Sequence, residues 1–244
     1  NYRIENVKIL KYDNLKNINV SHQKTICRES ELSLLHNCII GEKEYSRVAG
    51  STIIFGYGGV GKTALAFALT KELDDCYYVT NDKIGSCIAL EVFKNNGQYI
   101  DKNLTPPIGI KTIVFDAGGF VDTKIEQAIK SSKIIIIPIT LDNANKVILK
   151  KLFLDIKSKN SNARIVVIIN KFDNQKFKKN DVLNEISGLG DFDGIFVLRE
   201  TGLFEKIQVK NKSINEFIVG DLMSKFIYRN LVPEWNEILD YIKK

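Results

Sequence analysis

The sequence predicts an α/β protein: a mostly parallel, twisted sheet with helices on both faces, in three layers. Three observations carry that expectation. From Ser51 onward, strand-like and helix-like segments alternate along the chain, the pattern of strands joined by crossover helices. One strand candidate, residues 133–139, is a nearly unbroken apolar run, as for a strand covered on both faces. A glycine-rich turn, residues 56–63, joins the first strand of this region to its first helix.

Each element follows from local pattern. Residues 52–55 form a short β-rich run, and helix formers follow over 62–73. A second strand is expected at 76–80, with a helix near 87–94. Residues 97–110 read as a loop, because Pro106-Pro107 excludes regular structure there. Residues 111–116 make a strand ending on an aspartate, and 122–130 are amphipathic. The apolar strand 133–139 precedes a long amphipathic helix at 143–157, and 164–170 make the next strand. A lysine-rich loop, a helix near 182–187 and a last strand at 194–198 follow. Helices at 214–228 and 232–242 close the chain, with Trp235 expected in the core. The first 50 residues alternate weakly at 3–10, allow a short amphipathic helix at 30–36 and look like a linker over 41–50. The expected organisation is an N-terminal extension or small appendage, 1–50, and a main domain, 51–244.

The 244 residues suffice for one sizeable core, or one core and an appendage. Hydrophobic residues at 44% and charged residues at 26% are ordinary for a globular protein. No stretch approaches the ~18 apolar residues of a membrane span, and no secretion signal pattern is present, so a cytoplasmic setting is expected. Four cysteines without a C-x-x-C pair, with only two histidines, argue against a zinc site or a disulfide framework. The net charge of +6 permits an anionic partner without requiring one.

The chemistry concentrates in Gly56-Tyr57-Gly58-Gly59-Val60-Gly61-Lys62-Thr63, followed by Ala64. This is the spacing G-x-x-x-x-G-K-[ST] between a strand and a helix. Glycines let the backbone curl until several N–H groups face one point, where a phosphate sits at a helix N-terminus. Lys62 would reach the β- and γ-phosphates, and the Thr63 hydroxyl would ligate Mg²⁺.

In a parallel sheet, ligand groups gather where the strands end. Asp116 ends one strand and suits an acid that holds Mg²⁺ through its water shell. Gly118 and Gly119 after it would let the backbone approach a γ-phosphate. Asp82, after the strand 76–80, is placed to orient the attacking water. Asn170 is placed to read a base edge, with Lys171 along the ring.

Together these residues resemble the ParA/MinD ATPases, members of the SIMIBI class of P-loop NTPases. The loop 57–63 resembles their deviant Walker A loop, K-G-G-x-G-K-[ST]. Asp82-Lys83-Ile84-Gly85 stands where that family has D-x-D-P-Q-G, and Asp116 where its Walker B strand closes. Residues 134–139, with Pro138, are similar to its "vliPv" strand, and Asn170 matches its adenine-contacting asparagine. The resemblance spans roughly 51–220. It implies a Mg²⁺–ATP switch with slow hydrolysis, catalysed by Lys62, Asp82 and Asp116. It also implies a nucleotide-dependent homodimer, an adaptor protein, and a cargo such as a plasmid, chromosome or macromolecular complex. Non-specific DNA is a further implied partner, with Lys146, Lys150, Lys151, Lys157, Lys159, Lys176, Lys178 and Lys179 as phosphate contacts. Two positions depart from the family: Tyr57 replaces its extra lysine, and Thr80 the first acid of D-x-D.

Two alternatives stay open. G-x-x-x-x-G-K-T, Asp116-x-x-Gly119 and Asn170-Lys171-x-Asp173 also spell the motifs of a GTPase, in which Asp173 would read guanine and Thr80 would be a switch threonine on Mg²⁺. Tyr57 motivates a non-hydrolysing module whose nucleotide stabilises a protein–protein interface. Pro138 and the pair Gly58-Gly59 favour the ParA-like reading, with ATP.

Overall fold

The computed structural model describes residues 50–100, 106–118 and 123–244. The segments expected at 3–10 and 30–36, the linker up to residue 49, and Gly119 lie outside the described residues. The described strands are β1 (Gly50–Ile54), β2 (Cys76–Thr80), β3 (Gly97–Tyr99), β4 (Thr112–Asp116), β5 (Ile134–Ile139), β6 (Arg164–Phe172) and β7 (Gly194–Arg199). They form one sheet in the order β3-β2-β4-β1-β5-β6-β7, and every neighbouring pair is parallel. β1 lies at the centre, so the glycine loop that follows it emerges from the middle of the sheet edge.

The described helices are α1 (Lys62–Glu72), α2 (Cys87–Val92), α3 (Thr123–Ser131), α4 (Asn143–Lys159) and α5 (Lys179–Ser187), then α6 (Leu203–Lys210), α7 (Ile214–Val219), α8 (Leu222–Ile227) and α9 (Leu231–Lys243). Strand alternation sorts them into two layers. Ile53, Tyr77, Ile113, Ile135 and Val167 face a core shared with Ile125 and Ile129 of α3, Leu149 and Ile156 of α4, and Ile186 of α5. Their neighbours Ile54, Tyr78, Val114, Ile136 and Ile168 face Leu65 and Leu69 of α1, Leu203 and Ile207 of α6, and Trp235 and Ile238 of α9. Burial of each such isoleucine contributes roughly 2 kcal/mol. Trp235 is fully buried, as expected, with its ring edge-on to Phe204 at 6.0 Å.

Pro138 occupies an interior strand, where a missing N–H ordinarily breaks the ladder. The Ile136 carbonyl accepts from the Phe55 amide of the β1 side, so Pro138, two residues on, faces the same side. There the pairing of β1 with β5 has already ended at Ile54↔Ile136, and the chain has turned into the loop. The proline therefore stands just past the last paired residues of β1 and β5, where the ladder does not continue.

The structure corrects four expectations. Residues 97–99 are not loop but a three-residue strand pairing with Tyr78–Thr80; a run this short carries no alternation to read. A helix at Leu203–Lys210, absent from the sequence reading, follows Gly202. The expected helix 214–228 is two, because Gly220 and Asp221 interrupt it and the Asp221 carboxylate caps α8 by accepting from the Met223 and Ser224 amides. β6 continues two residues beyond Asn170, with a register irregularity between Ile169 and Phe172 where Lys171 adopts a φ of 55°. α8 is turned apolar side out: Leu222, Met223, Phe226 and Ile227 are exposed, while Ser224 and Tyr228 are buried. No described helix is long and apolar enough to cross a membrane.

Candidate functional site

Parallel register brings the ends of three strands side by side. Asp116 at the end of β4 lies opposite Ile54 at the end of β1 and Thr80 at the end of β2. From Ile54 the chain runs through Phe55 to Gly56, where a Cβ would stand 3.3 Å from the Pro138 carbonyl oxygen. The loop then curls back with Gly59 at φ 79° and Gly61 at φ 92°, a region that favours glycine. Gly61 is the N-cap of α1, whose first helical bond runs from the Leu65 amide to the Gly61 carbonyl. The amides of Lys62, Thr63 and Ala64 precede that bond and have no intrahelical acceptor.

Lys62 is 8% exposed, and its Nζ donates to the Tyr57 carbonyl at 2.7 Å, so the amine spans the loop. Burial lowers its pKa below the ordinary 10.5, against the opposing pull of Asp116 and then Asp82. The Tyr57 side chain points to solvent, 59% exposed, at the position where the resembled family has its extra lysine. Thr63 and Ala64 are half-buried on the first turn of α1.

The far side of the loop rests on β6. Asn170 Nδ2 donates to the Val60 carbonyl at 2.8 Å, and Lys171 Nζ approaches the Gly59 carbonyl at 3.4 Å. Asn170 Oδ1 accepts from the Lys171 amide. Nδ2 thus buttresses the loop while Oδ1 holds the Lys171 amide, and one amide hydrogen and one carbonyl lone pair stay uncommitted. A Cβ on Gly61 would stand 2.5 Å from Asn170 Nδ2, so this packing also requires glycine.

Asp116 is 2% exposed, and its Oδ2 accepts from Tyr78 Oη at 2.6 Å and Ser86 Oγ at 2.8 Å. Burial and then the neighbouring Asp116 charge push the Tyr78 phenol far above its ordinary value. Thr80 is fully buried; its Oγ1 lies 3.0 Å from Ser86 Oγ and accepts from the Asp82 amide at 3.0 Å. That engagement turns Thr80 inward, away from the role of a switch threonine. Asp82 Oδ1 accepts from the Gly85 amide, and the Gly118 amide donates to Asn81 Oδ1 at 2.6 Å. The site therefore brings together the loop Gly58–Gly59–Val60–Gly61, Lys62, Asp116, Asp82, Asn170 and Lys171.

Asp173 is engaged locally. Its carboxylate accepts from the Gln175 amide and pairs with Lys176 at 3.2 Å, and the first of these holds its pKa below the ordinary value. Of the lysines expected to meet DNA, Lys146, Lys157, Lys159 and Lys176 pair with carboxylates of their own surface.

Sequence reasoning missed Tyr78 and Ser86. In the run CYYVT a tyrosine reads as core, and only strand pairing shows that it shares a face with Asp116. It also missed a cavity of about 290 Å³ at the end of β7, lined by the turn Arg199-Glu200-Thr201-Gly202 with Tyr228 and Leu231. Arg199 is bound there by Glu234 through Nε and Nη2. The donor set fits Mg²⁺: one buried carboxylate, Asp116, and one hydroxyl, Thr63, on the helical turn that follows the glycine loop, a hard-oxygen set that would leave further positions to water and ligand oxygens. Among the described residues no cluster of three His, Cys, Asp or Glu side chains competes for a metal.

A seven-stranded parallel sheet, helices on both faces and a glycine loop from its central strand define an α/β fold of the P-loop NTPase type. Solved structures with this fold include apo McdA from Cyanothece, with a TM-score of 0.55 and 13% identity over 72% of this chain and 96% of that one. A variant of the Cyanothece protein in complex with ATP matches at 0.53 and 14%, over 70% and 90%. The MinC:MinD cell division protein complex of Aquifex aeolicus matches at 0.52 and 13%, over 68% and 87%. No protein-family model and no curated protein sequence matches the chain.

Proposed function

We propose that this chain is a ParA-like nucleotide-dependent switch ATPase, acting in DNA partition or in the positioning of a macromolecular complex. The observation that carries the proposal is the buried Lys62 amine stretched across the glycine loop, with the Asp116 and Asp82 charges acting on it. The uncommitted amides at the start of α1 and the Lys62 ammonium receive the β- and γ-phosphates. Thr63 and Asp116 hold Mg²⁺, which when bound neutralises charge on the phosphate oxygens. Asp82 orients the attacking water. Asn170 and Lys171 hold the loop carbonyls and border the base. ATP is favoured because a McdA structure of this fold holds it, and a protein partner because a MinD structure of this fold is a complex with MinC. The switch would act as a nucleotide-dependent homodimer that reaches its cargo through an adaptor.

Phosphate release from Mg²⁺–ATP by the full chain tests the enzymatic part. Slow turnover that disappears in Lys62→Ala is expected. Nucleotide binding without turnover above background leaves a binding module and refutes the ATPase.

A second reading changes only the base. Asn170 and Lys171 both seat on loop carbonyls within an Asn-Lys-x-Asp run, which favours GTP if Asp173 turns from Lys176 to guanine. Competition between ATP and GTP for one labelled nucleotide decides between them. Under the GTP reading Asp173→Asn weakens GTP alone.

A further inference from the structure

Behind Asp116 lies a hydrogen-bond chain whose direction can be worked out by counting protons. A carboxylate only accepts, and each hydroxyl has one proton to give. Tyr78 gives its proton to Asp116 Oδ2, and Ser86 gives its own to the same oxygen. In the contact between Thr80 and Ser86 the proton must therefore come from Thr80, whose Oγ1 in turn accepts from the Asp82 amide. The chain runs from the Asp82 amide through Thr80 and Ser86 to Asp116 Oδ2, which also accepts from Tyr78. Tyr78, Thr80 and Ser86 are all fully buried, so water cannot replace these bonds. Among the described residues no hydrogen bond reaches Oδ1.

We propose that Tyr78, Ser86 and Thr80 are positioning residues for the divalent cation. By occupying Oδ2 they fix the Asp116 carboxylate and reserve Oδ1 for the cation's water shell, and through Thr80 they tie the Asp82 backbone to the same carboxylate. The proposal rests on the reading of Asp116 as a Mg²⁺-holding group. It adds that cation affinity is set from within the core, by hydroxyls that touch neither cation nor nucleotide. Thr80, which replaces an acid of the resembled family, then serves as a neutral link where a second carboxylate would repel Asp116.

The test is binding of a fluorescent ATP analogue to the full chain, titrated with MgCl₂, for wild type, Tyr78→Phe and Ser86→Ala. Ser132→Ala, which removes a buried hydroxyl bonded to the Ala128 carbonyl on α3, is the control. In each site variant the carboxylate is ordered only as the cation binds, and a lost constraint worth one hydrogen bond to a charged group should raise half-saturating Mg²⁺ about tenfold. Affinity without Mg²⁺ should stay within about twofold by the same argument, since the loop is untouched, and the control should follow wild type. An unchanged Mg²⁺ requirement in the folded variants overturns the proposal. So does an equal loss of affinity with and without Mg²⁺, the sign of a merely structural role. If Tyr78→Phe does not fold, Ser86→Ala, which deletes one oxygen, carries the test alone. A wild type whose nucleotide affinity ignores Mg²⁺ refutes the reading of Asp116 itself, and the proposal with it.

Discussion

The loop glycines give a graded prediction. An alanine at Gly58 meets nothing within 4 Å and no positive φ, so it should leave the loop intact. At Gly59 there is also space, but φ is 79°, and a side chain in this left-handed region costs about 1 kcal/mol. At Gly61 the same backbone cost applies at φ 92°, and the new methyl would stand 2.5 Å from Asn170 Nδ2. The amide must then leave the Val60 carbonyl, losing a hydrogen bond of about 1 kcal/mol. Summed, Gly61→Ala should weaken the loop's bound conformation by about 2 kcal/mol, roughly thirtyfold in nucleotide affinity. Gly59→Ala should weaken it about fivefold, and Gly58→Ala hardly at all. Isothermal titration with Mg²⁺–ATP on the three variants reads the series. Equal losses at all three positions, or a Gly61→Ala variant that binds like wild type, would refute the steric reasoning.

Two further outcomes follow from charge. Because burial depresses the Lys62 pKa below 10.5, its ammonium discharges at lower pH than an ordinary lysine. Nucleotide affinity should begin to fall before that pH, while stability without nucleotide should gain as the desolvated charge is relieved; an affinity profile turning above pH 10.5 contradicts this. Asp142 caps α4 by accepting from the Asn145 amide, and the Thr140 hydroxyl, with that amide, holds its pKa at about 2 against an ordinary 3.8. A folded value below the unfolded one means that its contribution is present above about pH 4 and is lost as pH falls toward 2. Urea midpoints of wild type and Asp142→Ala should therefore differ at pH 5 and converge near pH 2; a gap of constant size is the contrary result.

Much of this architecture was legible in the chain because period and punctuation coincide. The strand 76–80 and the start of α1 at Lys62 stand where the sequence puts them, since apolar runs end there on turn residues or glycine. Pro138 was legible as a mark of this strand arrangement, but its tolerance depends on where β1 ends, a fact of pairing. Two of the misread elements are short: β3 has three residues and α8 has six, too few for a periodic signal, whereas α6, with eight, went unread after Gly202. At the site, Lys62 and Asp116 could be named because motif spacing and strand ends specify them. Tyr78 and Ser86 could not, because their bonds to Asp116 span 38 and 30 residues in sequence. Asn170 is expected from the sequence to face the base, whereas half of its hydrogen-bonding capacity goes to the loop and to the Lys171 amide.

The central claim is that the loop around Lys62 holds a nucleoside triphosphate. Equilibrium binding of Mg²⁺–ATP and Mg²⁺–GTP to the full chain, beside Lys62→Ala, tests it most directly. Saturable one-to-one binding that Lys62→Ala weakens at least tenfold, the loss of one charge-assisted contact, is expected. No binding of either nucleotide, or binding indifferent to Lys62, would contradict it.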